Sequence, residues 1–128
     1  MRLLLDTHAL LWFLGDDPRL SAAAKSALLI ADNERWLSPI SLLEIAVKVS
    51  IGKLVLHAPF ADLFPAQLNA NRIQLVAVDS SHAEKVATMP LHHRDPFDRL
   101  IVAQSLIEQM TVVSVDAAFD AYGISRLW

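Results

Sequence analysis

Arg2-Leu3-Leu4-Leu5-Asp6-Thr7-His8-Ala9-Leu10-Leu11-Trp12-Phe13-Leu14 is the stretch that decides the fold. Arg2–Leu5 is an apolar run that stops at an acid. A continuous apolar run, rather than an alternating one, marks a strand buried on both faces. Thr7–Leu14 then reads as a helix, ended by Gly15-Asp16-Asp17-Pro18.

The same alternation recurs along the chain. Short apolar or β-branched runs predict strands at Arg35–Ser38, Ile73–Val78, Thr111–Val115 and Ile124–Leu127. Helices are predicted over Ala22–Ala31, Pro39–Val49, Ala58–Asn69, Ser80–Thr88, Phe97–Met110 and Asp116–Tyr122. Buried strands alternating with helices imply an α/β fold with a parallel sheet covered on both faces. The 128 residues suit one domain spanning 1–128, with no linker or repeat. A hydrophobic content of 54% excludes a disordered chain. The absence of cysteine excludes disulfides, thiolate metal sites and cysteine nucleophiles. No apolar stretch approaches the ~18 residues of a membrane span, and the run at the N-terminus is too short for a signal peptide.

In parallel sheets ligands bind beyond the carboxyl ends of the strands. Asp6 follows the first strand and Asp116 the Thr111–Val115 run. Glu44 and Asp98 lie in the first turns of their helices, so all four acids are expected on one rim. Each also has a local reading. Ser41-x-x-Glu44 has the form of a capping box, Asp95-Pro96 reads as a cap followed by proline at the first helical position, and Asp6 and Asp116 suit N-caps. As a set they are harder to explain locally. At ~5–6 Å and an effective dielectric of ~20, each carboxylate pair repels by ~3 kcal/mol. Such a pocket needs protons or a cation. Oxygen-only ligation points to Mg²⁺ or Mn²⁺, and a cation that activates water beside a phosphodiester gives hydrolysis without a protein nucleophile.

The net charge of −3 argues against a nucleic-acid partner, but setting those four acids aside turns it to +1. Lys48, Lys53, His92, His93, Arg94 and Arg99 flank the acidic positions and are candidates for phosphate contacts. Lys48 equally suits an i,i+4 pair with Glu44.

The residues also carry a family pattern. Leu4-Leu5-Asp6-Thr7-His8-Ala9-Leu10-Leu11-Trp12 resembles the opening of a PIN-domain nuclease. Ser41–Lys48 with Gly52-Lys53-Leu54 resembles the second acidic motif, His93–Gln104 the third and Ser114–Tyr122 the fourth. The resemblance spans nearly the whole chain, in order. It implies a three-layer α/β/α sandwich with a five-stranded parallel sheet and Mg²⁺- or Mn²⁺-dependent ribonuclease activity. For a small free-standing chain it implies a VapC-type toxin of a type II toxin–antitoxin system. Such toxins are cytoplasmic, usually homodimeric, inhibited by a cognate antitoxin, and cut RNA such as tRNA or rRNA.

Asp6, Asp98 and Asp116 are accordingly expected as metal ligands, and Glu44 as a ligand or the group that orients the attacking water. Thr7, Lys48 and Arg99 are expected to contact substrate. Asp95 reads as a cap and Asp120 as solvent-facing, and His8, beside Asp6, suits a base or a phosphate contact but more simply a structural histidine. Trp12, Phe13, Trp36 and Trp128 read as core or dimer contacts rather than base-stacking platforms. Leu54–Leu68 suits a partner groove or core packing. Three other classes compete. A dehalogenase-type phosphatase needs an acid where His8 stands. A receiver domain needs a lysine after Thr111–Val115. A non-catalytic domain could keep an acidic Mg²⁺-binding pocket.

Overall fold

Consecutive side chains of a strand point to opposite faces. Leu3, Leu4 and Leu5 are all fully buried, so both faces of β1 (Arg2–Leu5) must be covered. The computed structural model describes residues 1–128 and covers both. β1 is the middle strand of a five-stranded, all-parallel sheet of order β3-β2-β1-β4-β5. The other strands are β2 (Glu34–Leu37), β3 (Ile73–Leu75), β4 (Thr111–Val113) and β5 (Arg126–Leu127). Leu5 pairs in register with Leu37 on one side and Val113 on the other.

One layer of helices comprises α1 (Thr7–Leu14), α2 (Ala22–Leu29), α3 (Pro39–Ser50), α4 (Phe60–Leu63) and α5 (Ala66–Ala70). Their apolar sides meet Leu3, Leu5 and Val113. The opposite layer holds α6 (Ser80–Thr88) and α7 (Pro96–Glu108), whose Ile101 and Val102 pack with Leu4 and Val112. This is the expected three-layer α/β/α sandwich. No helix is long and apolar enough to cross a membrane.

Departures from the sequence reading have local causes. β3 stops at Leu75 and β5 spans only two residues. Both are edge strands with one neighbour, and Leu75 and Val78 are exposed. The single helix expected over Ala58–Asn69 is two helices, broken where Phe64 precedes Pro65. Proline disfavours the helical region for the residue before it, and Phe64 is extended. The segment after β4 is a 3-10 helix, Ala117–Tyr122, ended by Gly123 at φ 70°, where a Cβ would be strained.

α6 and α7 are clipped together by fully buried His82. Its Nδ1 accepts from the Asp79 amide at 3.1 Å, so its Nε2 carries the proton and donates to Glu108 at 3.0 Å.

Leu4→Ala removes a fully buried side chain from the middle strand. We expect a loss of about 2–5 kcal/mol, read as a lower urea midpoint with an unchanged slope.

Candidate active site

The chain leaves β1 towards β2 on one side of the sheet and returns as β4 on the other, so the strand order reverses between β1 and β4. Asp6 and Ser114 are the first residues beyond those two strands. Asp6 is buried and caps α1 by accepting from the Ala9 amide at 2.7 Å, with the Ser114 hydroxyl close enough to favour its charged form. That hydroxyl in turn accepts from the Asp116 amide at 3.0 Å. One serine therefore stands between the first acid and the last.

Asp116 caps the 3-10 helix through the Ala118 amide at 2.9 Å and pairs with His93 Nε2 at 2.9 Å. Asp98 stands in the first turn of α7, behind the Asp95 cap and Pro96. It is half-buried and accepts no hydrogen bond from the protein. Glu44 is buried on α3, with one oxygen on the Thr7 hydroxyl and the other 3.0 Å from Lys48 Nζ. Capping and ligation are thus not alternatives for Asp6 and Asp116. A cap bond uses one of roughly four lone-pair positions on a carboxylate.

The four acids, with Thr7, His8, Lys48 and Asp95, line one cleft of about 320 Å³. Its electrostatics are strained. Burial raises the Asp6 carboxyl and the Glu44 charge adds to it, outweighing the Ser114 and Ala9 bonds and the His8 charge. Asp98 is pushed up to about 6 by burial, then by the charges of Asp95, Glu44 and Asp116, with His93 opposing. For Asp116 burial also pulls upward, but the His93 and Ala118 hydrogen bonds and the charges of His93 and Arg126 outweigh it, and the carboxyl lies below its ordinary value. The site is therefore short of positive charge at Asp6 and Asp98. One ligand atom each of His93, Asp98 and Asp116 lies within 4.8 Å of the others. A hard divalent cation suits this oxygen-rich donor set and would relieve the crowding.

Several residues sit otherwise than their spacing implies. Arg99 does not line the cleft. Its guanidinium donates to the carbonyls of Val86 at 2.8 Å and Pro90 at 3.1 Å, which removes it from the expected substrate contacts. Ser41 and Glu44 form no capping box, because Ser38 caps α3 and Pro39 takes its first position. The Ser41 hydroxyl is buried without a partner. Asp120 is exposed but paired with Arg126 at 2.8 Å. His8 is not a structural histidine: it is exposed at the cleft.

His93 is the site residue the sequence conceals, because its partners lie 23 and 29 residues away. Tyr122 Oη accepts from the amides of His92 and His93 at 3.2 and 2.8 Å, which fills its acceptor positions. The same oxygen lies 3.1 Å from His93 Nδ1. One face of the site thus fixes the ring between Tyr122 and Asp116. A histidine near an acidic motif was the only signal, and it named no partner.

The PIN-domain family model matches residues 3–124. Among the curated proteins no relative matches by sequence. The solved structure of VapBC2 from Rickettsia felis, bound to a DNA fragment from its promoter, is similar at 16% identity and a TM-score of 0.73, covering 98% of this chain and 97% of that one. VapBC-1 from nontypeable Haemophilus influenzae is similar at 14% identity and a TM-score of 0.67, with coverages of 98% and 96%. A toxin–antitoxin complex from Klebsiella pneumoniae is similar at 16% identity and a TM-score of 0.59, with coverages of 89% and 86%.

The raised Asp98 carboxyl gives a pH test. Between its ordinary value of 3.8 and about 6, the folded protein keeps a proton that the unfolded chain has released. Stability of the metal-free protein therefore falls as pH rises through that window. Thermal melts from pH 4 to 7 should show the fall in the parent and a flatter profile in Asp98→Asn. Added Mn²⁺ at pH 7 should restore the parent more than the variant.

Proposed function

The chain belongs to the PIN-domain family, and on that premise we propose that it is a divalent-metal-dependent endoribonuclease, the VapC-type toxin of a toxin–antitoxin pair. The observation that carries the reading is the convergence of Asp6, Glu44, Asp98 and Asp116, from four separate elements, on one cleft at the sheet's switch point. The likeness to VapBC and toxin–antitoxin complexes supports the toxin assignment through fold.

In this proposal Asp6, Asp98 and Asp116 hold Mg²⁺ or Mn²⁺. When bound, such an ion supplies Lewis acidity that makes water a competent nucleophile at neutral pH. Glu44 orients the attacking water, and the Thr7 hydroxyl fixes the Glu44 carboxylate in place. Lys48, 3.0 Å from Glu44, is positioned to share its ammonium with a substrate phosphate. His93 is a positioning residue that orients Asp116 and keeps it ionised. The substrate is RNA, with tRNA or rRNA as the expected class. The partners are a cognate antitoxin and a second copy of the chain in a homodimer, in the cytoplasm.

Cleavage of RNA should require Mg²⁺ or Mn²⁺. Asp6→Asn and Asp98→Asn should each lower it by on the order of 100-fold or more while circular dichroism stays unchanged. Either variant cutting at the parent rate overturns the metal assignment. His93→Ala should raise the metal concentration needed for half-maximal rate by about tenfold or more, as loss of a group that orients a ligand does. His93→Gln, which can still donate to Asp116, should recover part of that loss.

A further inference from the structure

The cleft is poorly equipped to hold a nucleic acid by charge. Five carboxylates line it, and its one lysine is paired with Glu44. Arg99 is occupied by backbone carbonyls. Basic side chains ordinarily supply most sequence-independent affinity for nucleic acid. The other general source of affinity for a single strand is stacking of bases on aromatic rings.

The cleft offers one exposed ring, that of His8. Its imidazole makes no hydrogen bond with the protein, so nothing local accounts for its position. It is braced from behind. Trp12 lies one helical turn along α1, its ring centroid 5.6 Å from that of His8 and the planes tilted by 33°. Trp12 is held in turn by Trp128 at 5.8 Å and by the Arg19 guanidinium, 5.1 Å from the ring centroid. The indole is partly buried and packs against the larger core cluster. A flat ring that is exposed, unbonded, backed by a second aromatic ring and next to the acids is a place for a nucleobase.

We propose that His8, braced by Trp12, is a base-stacking subsite for single-stranded RNA and receives the nucleobase next to the scissile phosphate. The proposal rests on the ribonuclease reading and adds the substrate class to it. A base within a duplex already has both faces covered, so this subsite selects unpaired nucleotides. It reads a π-face rather than hydrogen-bonding edges, so it tolerates all four bases and favours the larger purines.

The test is binding of a fluorescein-labelled single-stranded RNA octamer with Mn²⁺, in an Asp98→Asn background so that the strand is not consumed. His8→Ala should weaken binding at least about fivefold, the lower end of what a base–aromatic stack contributes. His8→Phe, which keeps a ring and has no titratable nitrogen, should recover the affinity. Trp12→Phe, a milder change at the brace, should weaken binding less than His8→Ala. An abasic residue moved along the octamer should reveal one position at which the background protein and its His8→Ala variant bind equally.

Binding by His8→Ala equal to that of the background overturns the subsite, and so does failure of His8→Phe to recover affinity, which would assign the ring nitrogens instead. Cleavage by the parent enzyme separates the two readings. A parent that cuts RNA, with no His8 effect on binding, loses the subsite and keeps the nuclease reading. A parent that cuts no RNA, with binding still dependent on His8, keeps the subsite and loses the nuclease reading.

Discussion

Asp6 follows three fully buried leucines with no residue between. That covalent adjacency is the constraint on which the site depends. The leucines can be buried only if β1 lies in the middle of the sheet with helices on both faces, and it does. The fold therefore delivers a carboxylate to the centre of the carboxyl edge whether or not the charge is comfortable there. β4, the neighbour across the switch point, delivers Ser114 and Asp116 to the same place.

The protein holds this crowded arrangement by giving each acid a different partner. Asp6 has the Ser114 hydroxyl and the Ala9 amide, Asp116 has His93 and the Ala118 amide, and Glu44 has Thr7 and Lys48. Asp98 has none of these, and its carboxyl is pushed up to about 6. The asymmetry follows from the elements. The acids that follow strands take helix-cap bonds at once, whereas Asp98 sits behind a cap already supplied by Asp95. The residue left without a donor is the one with most to gain from a cation.

Much of this was legible in the chain. The limits of β1, α1 and α6 can be read directly, since each is closed by a strong local signal: an acid after an apolar run, a Gly-Asp-Asp-Pro stop, or an aspartate cap. The edge strands were over-read because apolar composition does not reveal how many neighbours a strand has. The apolar pattern of Ala58–Asn69 runs straight across Pro65, so it hides the break that the proline imposes on Phe64. The four acids were legible from their places after strands and at helix starts. Side-chain pairings were not. Arg99 looked available because it stands beside Asp98 in sequence, yet its partners are carbonyls 9 and 13 residues away on a neighbouring loop and helix. The pairing of His93 with Asp116 is hidden for the same reason, since 23 residues separate them. Local spacing identifies charges, and only the packed fold decides where each one is spent.

The His82 clip between α6 and α7 has a mechanical consequence for Asp98. The clip engages Glu108, the last residue of α7, while Asp98 lies in its first turn. Midway between them, Ile101–Ser105 is wedged into the interior. The helix is thus a cantilever, anchored at its base and along its shaft, with the troubled carboxylate near the tip. Repulsion there cannot be relieved by sliding or rotating the whole rod, because that would pull His82 from a sealed socket. Even the opening turn is tied down beside Asp98, where Arg99 holds the carbonyls of Val86 and Pro90. A carboxylate held this way keeps its place in the cleft whatever its charge, so crowding there is met by a proton or a cation rather than by a shift of the helix.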